Sequence, residues 1–127
     1  MLGLHGPPDA GLILQAAVTK TASFDSAAFN LGSGYALDGP GQPMAAVVDV
    51  TAIDRTTGDE TYAFTLQESA DGSTGWAAIG VAAATTAAGV LLAKGFVTQP
   101  FVRLSMAAAG TTPSITYSAT LAPLGRA

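Results

Sequence analysis

The alternation in residues 61–67, TYAFTLQ, constrains the fold of this chain more than any other stretch. Tyr62, Phe64 and Leu66 fall on one face; Thr61, Ala63, Thr65 and Gln67 fall on the other. Successive side chains of an extended backbone point to opposite sides, so this period of two predicts a half-buried β-strand. Ser69-Ala70-Asp71-Gly72-Ser73 comes next as a turn, because Gly accepts positive φ and an Asp side chain bonds nearby backbone. A second apolar segment with Trp76 and Ile79 succeeds the turn. Residues 61–80 therefore predict a hairpin, with the single Trp packed against the Tyr62, Phe64 and Leu66 face.

The same period recurs along the chain. Residues 12–20 put Leu12, Leu14, Ala16 and Val18 on one face. Residues 23–31, with Phe24 and Phe29, predict a short strand. Residues 44–53 predict a strong strand with Val48, Val50 and Ala52 on one side and Val47, Asp49, Thr51 and Ile53 on the other. Residues 81–89 read as an Ala/Thr linker or weak strand, and 90–97 as a strand broken by Gly95. Val102, Leu104 and Met106 are expected to face inward, as are Ile115, Tyr117, Ala119 and Leu121. About eight short strands punctuated by Gly, Pro and Asp turns, with helix confined to a turn or two, define an all-β class. The expected architecture is a single sandwich of antiparallel strands, a jelly roll first and an immunoglobulin-like sandwich second. The organisation is an extended N-terminal arm at 1–11, a β-sandwich domain at 12–122 and a C-terminal tail at 123–127.

Composition narrows the function. A chain of 127 residues suffices for one stable core. The absence of Cys rules out disulfides and thiolate metal sites. Only 11% of residues are charged while 49% are hydrophobic, so part of the nominal surface is expected to be covered by partners. The five basic residues are scattered in a chain of net charge −4, with no patch to neutralise a phosphate backbone. Nucleic acid is therefore not an expected partner. No secretory signal is expected at the N-terminus. Residues 72–93 carry no charge, yet Ala, Gly, Thr and Ser prevail over Leu and Ile, which argues against a membrane-spanning helix.

No constellation points to catalysis or to a cofactor. His5 is the sole His and has no second ligand. No nucleophile elbow, phosphate loop or dinucleotide fingerprint is present. Glu60 and Glu68 sit at opposite ends of one predicted strand, roughly 26 Å apart at about 3.3 Å per residue, too far for a glycosidase pair. Asp54, Asp59 and Glu60 share one turn and are read as a solvated cluster rather than a Ca²⁺ site. Trp76 and Tyr62 could form a sugar-stacking platform, but their phase is that of a core. The chain is not expected to be an enzyme.

Two segments are the candidates for partner binding. The arm MLGLHGPPDAG is apolar at Leu2 and Leu4, while Pro7 and Pro8 forbid a continuing helix and favour an extended path. Leu2, Leu4, His5, Pro7 and Pro8 are thus candidate contacts with another chain. Residues 32–43, rich in Gly and Pro, form a long loop in which Tyr35 and Leu37 are further candidates.

Several stretches resemble the capsid decoration, or cement, proteins of tailed bacteriophages, of the small jelly-roll type of the Bordetella phage cement protein. They are Phe29-Asn30-Leu31-Gly32, Pro43-Met44 leading into Val47-Val48-Asp49-Val50, and Thr65-Leu66-Gln67-Glu68-Ser69 followed by Asp71-Gly72 and Trp76. Phe101-Val102-Arg103-Leu104 and Thr116-Tyr117-Ser118-Ala119 complete the set, which covers roughly residues 24–121. This chain departs from the pattern in its longer loop at 32–43. The resemblance implies a structural virion protein on the outer capsid surface, commonly a homotrimer, that binds the major capsid protein and reinforces capsomer junctions. It implies no catalytic residues, cofactor or metal. Another β-type virion component, in the tail or head-tail joint, and a carbohydrate-binding jelly roll are the alternatives.

Overall fold

The computed structural model describes residues 13–31, 42–54, 56–85 and 87–123. Nine strands and no helix occur among them: β1 (Ile13–Lys20), β2 (Phe24–Asp25), β3 (Phe29–Asn30), β4 (Gln42–Ile53), β5 (Thr61–Ser69), β6 (Ala77–Thr85), β7 (Gly89–Val97), β8 (Phe101–Ala109) and β9 (Ile115–Pro123). They form two antiparallel sheets, β1-β9-β4-β7 and β2-β8-β5-β6, with β3 also on β8. The pairs β1·β9, β8 with β2 and β3, β4·β7 and β5·β6 are nested like one long hairpin. Rolling that hairpin up creates the β4·β9 and β5·β8 contacts. This is the strand order of a jelly roll, not of an immunoglobulin-like sandwich.

β2 and β3 share one edge position, pairing Phe24 with Met106 and Phe29 with Val102. Between them the buried Ser26 keeps the ladder satisfied. Its N–H donates to the Leu104 carbonyl at 2.8 Å, and its hydroxyl accepts from the Leu104 N–H at 2.9 Å. The expected short strand is thus split, and eight strand positions are filled by nine elements.

The core is where the alternation put it. Tyr62, Phe64, Leu66, Val102, Leu104, Met106, Ile115, Tyr117, Ala119 and Leu121 are all buried. Phe64 and Tyr117 meet across the sheets edge to face, with ring centroids 5.0 Å apart, the geometry that the aromatic quadrupole favours.

Three readings are corrected. In β1, register shifts on either side of Gln15 break the alternation, so Leu14 is buried but Ala16 is exposed. In β4, a bulge between Val50 and Ala52 inserts a residue opposite β9. Ala52 is consequently exposed and Ile53 packs on the core, because one extra residue flips the phase of every residue after it. Gln42 and Pro43, assigned to the loop, begin β4. Of the two readings of residues 81–89, the strand holds for 81–85, which end β6.

Gly95 does not break β7. At Gly80 and Gly95, β6 of one sheet crosses β7 of the other with backbone against backbone. A Cβ on Gly95 would lie 2.6 Å from the Ile79 carbonyl carbon, and one on Gly80 would lie 2.7 Å from that of Lys94. The two glycines close one side of the sandwich.

The two buried tyrosines differ in their hydroxyls. Tyr62 Oη donates to the Asp54 or Ser114 carbonyl, at 2.7 and 3.1 Å, and accepts from the Ser114 N–H at 2.8 Å. Tyr117 Oη is buried without a hydrogen-bond partner. Burial, with the charge of Asp25 adding to it, pushes the Tyr117 phenol up to about 12. An unmade buried hydrogen bond costs about 1–3 kcal/mol, so Tyr117→Phe is expected to stabilise the fold by about 1 kcal/mol. Tyr62→Phe should lose a similar amount, because it strands the Ser114 N–H. Urea denaturation of the two variants checks the opposite signs; a loss in Tyr117→Phe would show that its hydroxyl has a partner in solution.

Candidate interaction surface

Leu2, Leu4, His5, Pro7, Pro8, Tyr35 and Leu37, the residues singled out for partner binding, lie outside the described residues. The described residues present three other features: carboxylate-capped loops at both ends of the sandwich, a polar cluster on one sheet and an apolar stripe on the other.

The carboxylates of the β4–β5 connection are occupied by threonines. Asp54 accepts from the Thr56 N–H and hydroxyl at 2.7 and 2.5 Å. Asp59 accepts from the Thr111 N–H and hydroxyl at 3.1 and 2.7 Å. The buried Glu60 takes the Thr112 hydroxyl at 3.0 Å and the Gly58 N–H at 3.1 Å. These bonds tie the β4–β5 connection to the β8–β9 turn. At the other end, Glu68 accepts from the Thr98 N–H at 2.7 Å and the Gln99 N–H at 3.1 Å, fixing the β7–β8 connection. Asp71 holds its own turn through the Ser73 and Thr74 N–H groups, both at 2.9 Å. Among the described residues no group of three or more His, Asp or Glu side chains is arranged to hold a metal ion.

The capping bonds set the acid sensitivity. Burial alone would raise the Glu60 carboxyl, but hydrogen bonds from Thr112 and its neighbours outweigh it and hold the group down at about 2. The Thr111 hydroxyl and N–H lower Asp59, and the N–H groups of Thr74 and Ser73 hold Asp71 well below the usual carboxylate range. All three groups therefore have folded-state values below their unfolded ones. Their contribution is fully present above the ordinary carboxylate value of 4.5 for Glu60 and is lost as pH falls through the folded value near 2. In that window the unfolded chain binds protons that the folded chain refuses. The melting temperature is expected to stay level from about pH 7 to pH 5 and to fall between about pH 4.5 and 2. Glu60→Gln should flatten that fall; an unchanged slope would show that Glu60 is not among the groups responsible.

On the outer face of the β2-β8-β5-β6 sheet, Arg103 is the hub. The register sets Gln67 opposite it, and Arg103 Nε donates to Gln67 Oε1 at 2.7 Å. Its Nη2 lies 3.6 Å from Asp25 Oδ2, and its guanidinium sits 4.3 Å above the Trp76 ring. Trp76 is therefore not packed on the Tyr62, Phe64 and Leu66 face. It precedes β6, and the inner position opposite Leu66 is Gly80, where the β7 backbone leaves no room for an indole. The ring instead lies half-buried outside, where a guanidinium covers it.

The outer face of the other sheet carries an apolar stripe along β7, beside polar residues such as Asp49, Ser118 and Thr120. The register aligns Ile13, Thr120, Val47 and Leu92 in one row across all four strands. Along β7 the outward residues are Val90, Leu92, Lys94 and Phe96, and the three apolar ones are 64, 48 and 57% exposed. Ile13 adds 45% on β1, and Val81 adds 66% on neighbouring β6. Lys94 makes no ion pair among the described residues. Exposed apolar side chains gathered on one strand mark an interaction surface. Sequence reasoning missed this stripe because β7, GVLLAKGFV, carries large apolar side chains on both faces, with Lys94 alone charged on the outer one. The usable signal was size: Ala93 and Gly95 are the small residues, and they face inward.

No helix among the described residues is long and apolar enough to cross a membrane. No protein-family model matches the chain, and no curated protein matches it.

Proposed function

We propose that this protein is a structural virion component, a capsid decoration protein that binds the outer surface of a phage head and stabilises capsomer junctions. The observation that carries the proposal is the exposed apolar stripe on β7 of a jelly roll whose loop carboxylates are spent on capping. Such a molecule is built to be held in an assembly. The short motifs shared with cement proteins, from Phe29 to Ala119, support the same reading. Its partners in this reading are the major capsid protein and further copies of itself, as a homotrimer.

The arm at residues 1–11 is the proposed anchor. Ordering a backbone costs about 1–2 kcal/mol per residue, and burying Leu2 and Leu4 returns only about 1.5–3 kcal/mol each. Contacts with a neighbouring chain must supply the remainder. Deleting residues 2–10 is expected to leave a folded protein that no longer co-purifies with heads in stoichiometric amounts. Unchanged decoration by the truncated protein would remove the arm from the reading, and density on the tail instead of the shell would move the protein to a tail or head-tail joining role.

One observation favours a second reading, glycan binding. Trp76 stands outside the core beside Arg103, Gln67 and Asp25, a half-exposed aromatic with polar neighbours. Glycan binding that vanishes in Trp76→Ala would select this reading.

A further inference from the structure

We propose that the outer face of the β2-β8-β5-β6 sheet binds a neutral glycan chain. One pyranose ring stacks on Trp76, and hydroxyls of the chain bond to Asp25, Gln67, Ser105 and Thr65. The inference rests on the glycan reading of Trp76 and names the ligand class and its contacts. It is independent of capsid decoration.

The strand register builds the platform. Arg103 on β8 lies opposite Gln67 on β5, Ser105 lies opposite Thr65, and Asp25 on β2 lies opposite Ser105. Side chains two apart on a strand share a face, so these pairs form adjacent rows. The Trp76 ring reaches in from the start of β6 and meets the Arg103 guanidinium at 4.3 Å. From β2 to β6 the platform crosses four strand positions, roughly 14 Å at about 4.8 Å per spacing. That width exceeds a single sugar ring and suits a chain of them.

The polar groups of this face are available, unlike the carboxylates at the ends of the sandwich. Among the described residues the Thr65 and Ser105 hydroxyls and the Trp76 indole N–H make no hydrogen bond. Arg103 Nε–H can only donate, so Gln67 meets it with Oε1 and leaves its amide N–H groups unused. Asp25 is exposed and faces Arg103 through Oδ2 at 3.6 Å, so Oδ1 is a further acceptor. Gln67, Asp25 and Trp76 hold the guanidinium from three sides, and it in turn fixes the indole. The guanidinium takes one face of the indole, and Trp76 makes no second ring or cation contact among the described residues.

These groups fit a sugar. The C–H bonds on one side of a pyranose are weakly positive and stack on the negative face of an aromatic ring. Carboxylate and amide groups accept from and donate to neighbouring hydroxyls. Asp25 decides the charge class. Its carboxylate already matches the Arg103 cation, so the platform has no net positive charge to hold an anion. An acidic sugar would set a second carboxylate against Asp25, in a chain of net charge −4.

Trp76 is the single Trp of the chain, so its fluorescence reads this site alone. Neutral oligomers of glucose, galactose and mannose are the probes, with oligogalacturonate and oligosialate as the acidic counterparts. At least one neutral oligomer is expected to shift the emission saturably, while the acidic ones leave it unmoved. Asp25→Asn should weaken that binding about tenfold, by removing a charged acceptor. Trp76→Ala, followed by calorimetry, should abolish it. Both positions lie outside the core, and circular dichroism shows that each variant keeps its fold. The inference is overturned by no shift with any neutral oligomer, by tighter binding of the acidic ones, by Asp25→Asn strengthening binding, or by neutral binding that persists in Trp76→Ala. Acidic oligomers that bind and are lost with Trp76→Ala overturn the inference while upholding the glycan reading; binding by neither class removes both. Co-purification with heads tests decoration separately.

Discussion

Phe64→Ala is expected to destabilise the protein by about 3–5 kcal/mol, the range for emptying a fully buried Phe site. Phe64 is 0% exposed and lies on β5, facing the other sheet. Met106 stands opposite it on β8, Ala82 opposite it on β6, and the Tyr117 ring meets its ring from the other sheet. Truncation leaves a void that strands on both sides hold open, because their ladders fix the backbone and only side chains can relax. Against a total stability of about 5–15 kcal/mol this is a large fraction, so the melting temperature should drop by many degrees. Urea denaturation of the two proteins is the check. A loss below about 1 kcal/mol would show that the site collapses freely and that Phe64 is not a keystone of the two sheets.

The second large effect is expected at the crossing of β6 and β7. Gly95→Ala forces a methyl group against the Ile79 carbonyl, and Gly80→Ala forces one against that of Lys94. Both obstacles are backbone, so no rotamer change relieves them and the strands must separate. Overpacking a core side chain costs about 1–3 kcal/mol, and a backbone clash should reach or exceed the top of that range. Gly95→Val is expected not to fold. Gly58→Ala is the control, because nothing lies within 4 Å of its added Cβ and only its φ of 92° resists substitution. That cost should stay near about 1–2 kcal/mol. If Gly95→Ala is no worse than Gly58→Ala, the crossing is looser than its geometry requires.

The fold class was legible in the sequence wherever alternation ran unbroken. Residues 62–66, 102–106 and 115–121 place every second side chain inside, and each of those side chains is buried. That signal is local, because a pleated strand with one wet face leaves a single register in which its apolar set is hidden. The turn at Asp71 and the β5–β6 hairpin were readable for the same reason. The proposed interaction surface was not. The candidates read from sequence lie at residues 2–8 and 35–37, whereas the exposed stripe lies at 90–96.

What the sequence alone determined is therefore the class of structure and the inner face of its best strands. The tertiary structure decided the rest, since each remaining feature depends on a partner distant in the chain. Ile53 turns inward because β9 pairs across a bulge at Thr51. Ser26 is buried because it stands in for a strand residue opposite Leu104. Trp76 lies outside, where a guanidinium on β8 covers its ring. In β7 both faces carry large apolar side chains; Lys94 disfavours burying the outer one, and the approach of β6 completes the choice. Backbone-to-backbone crossing admits Gly95 and Ala93 on the inside and leaves Val90, Leu92 and Phe96 to the surface.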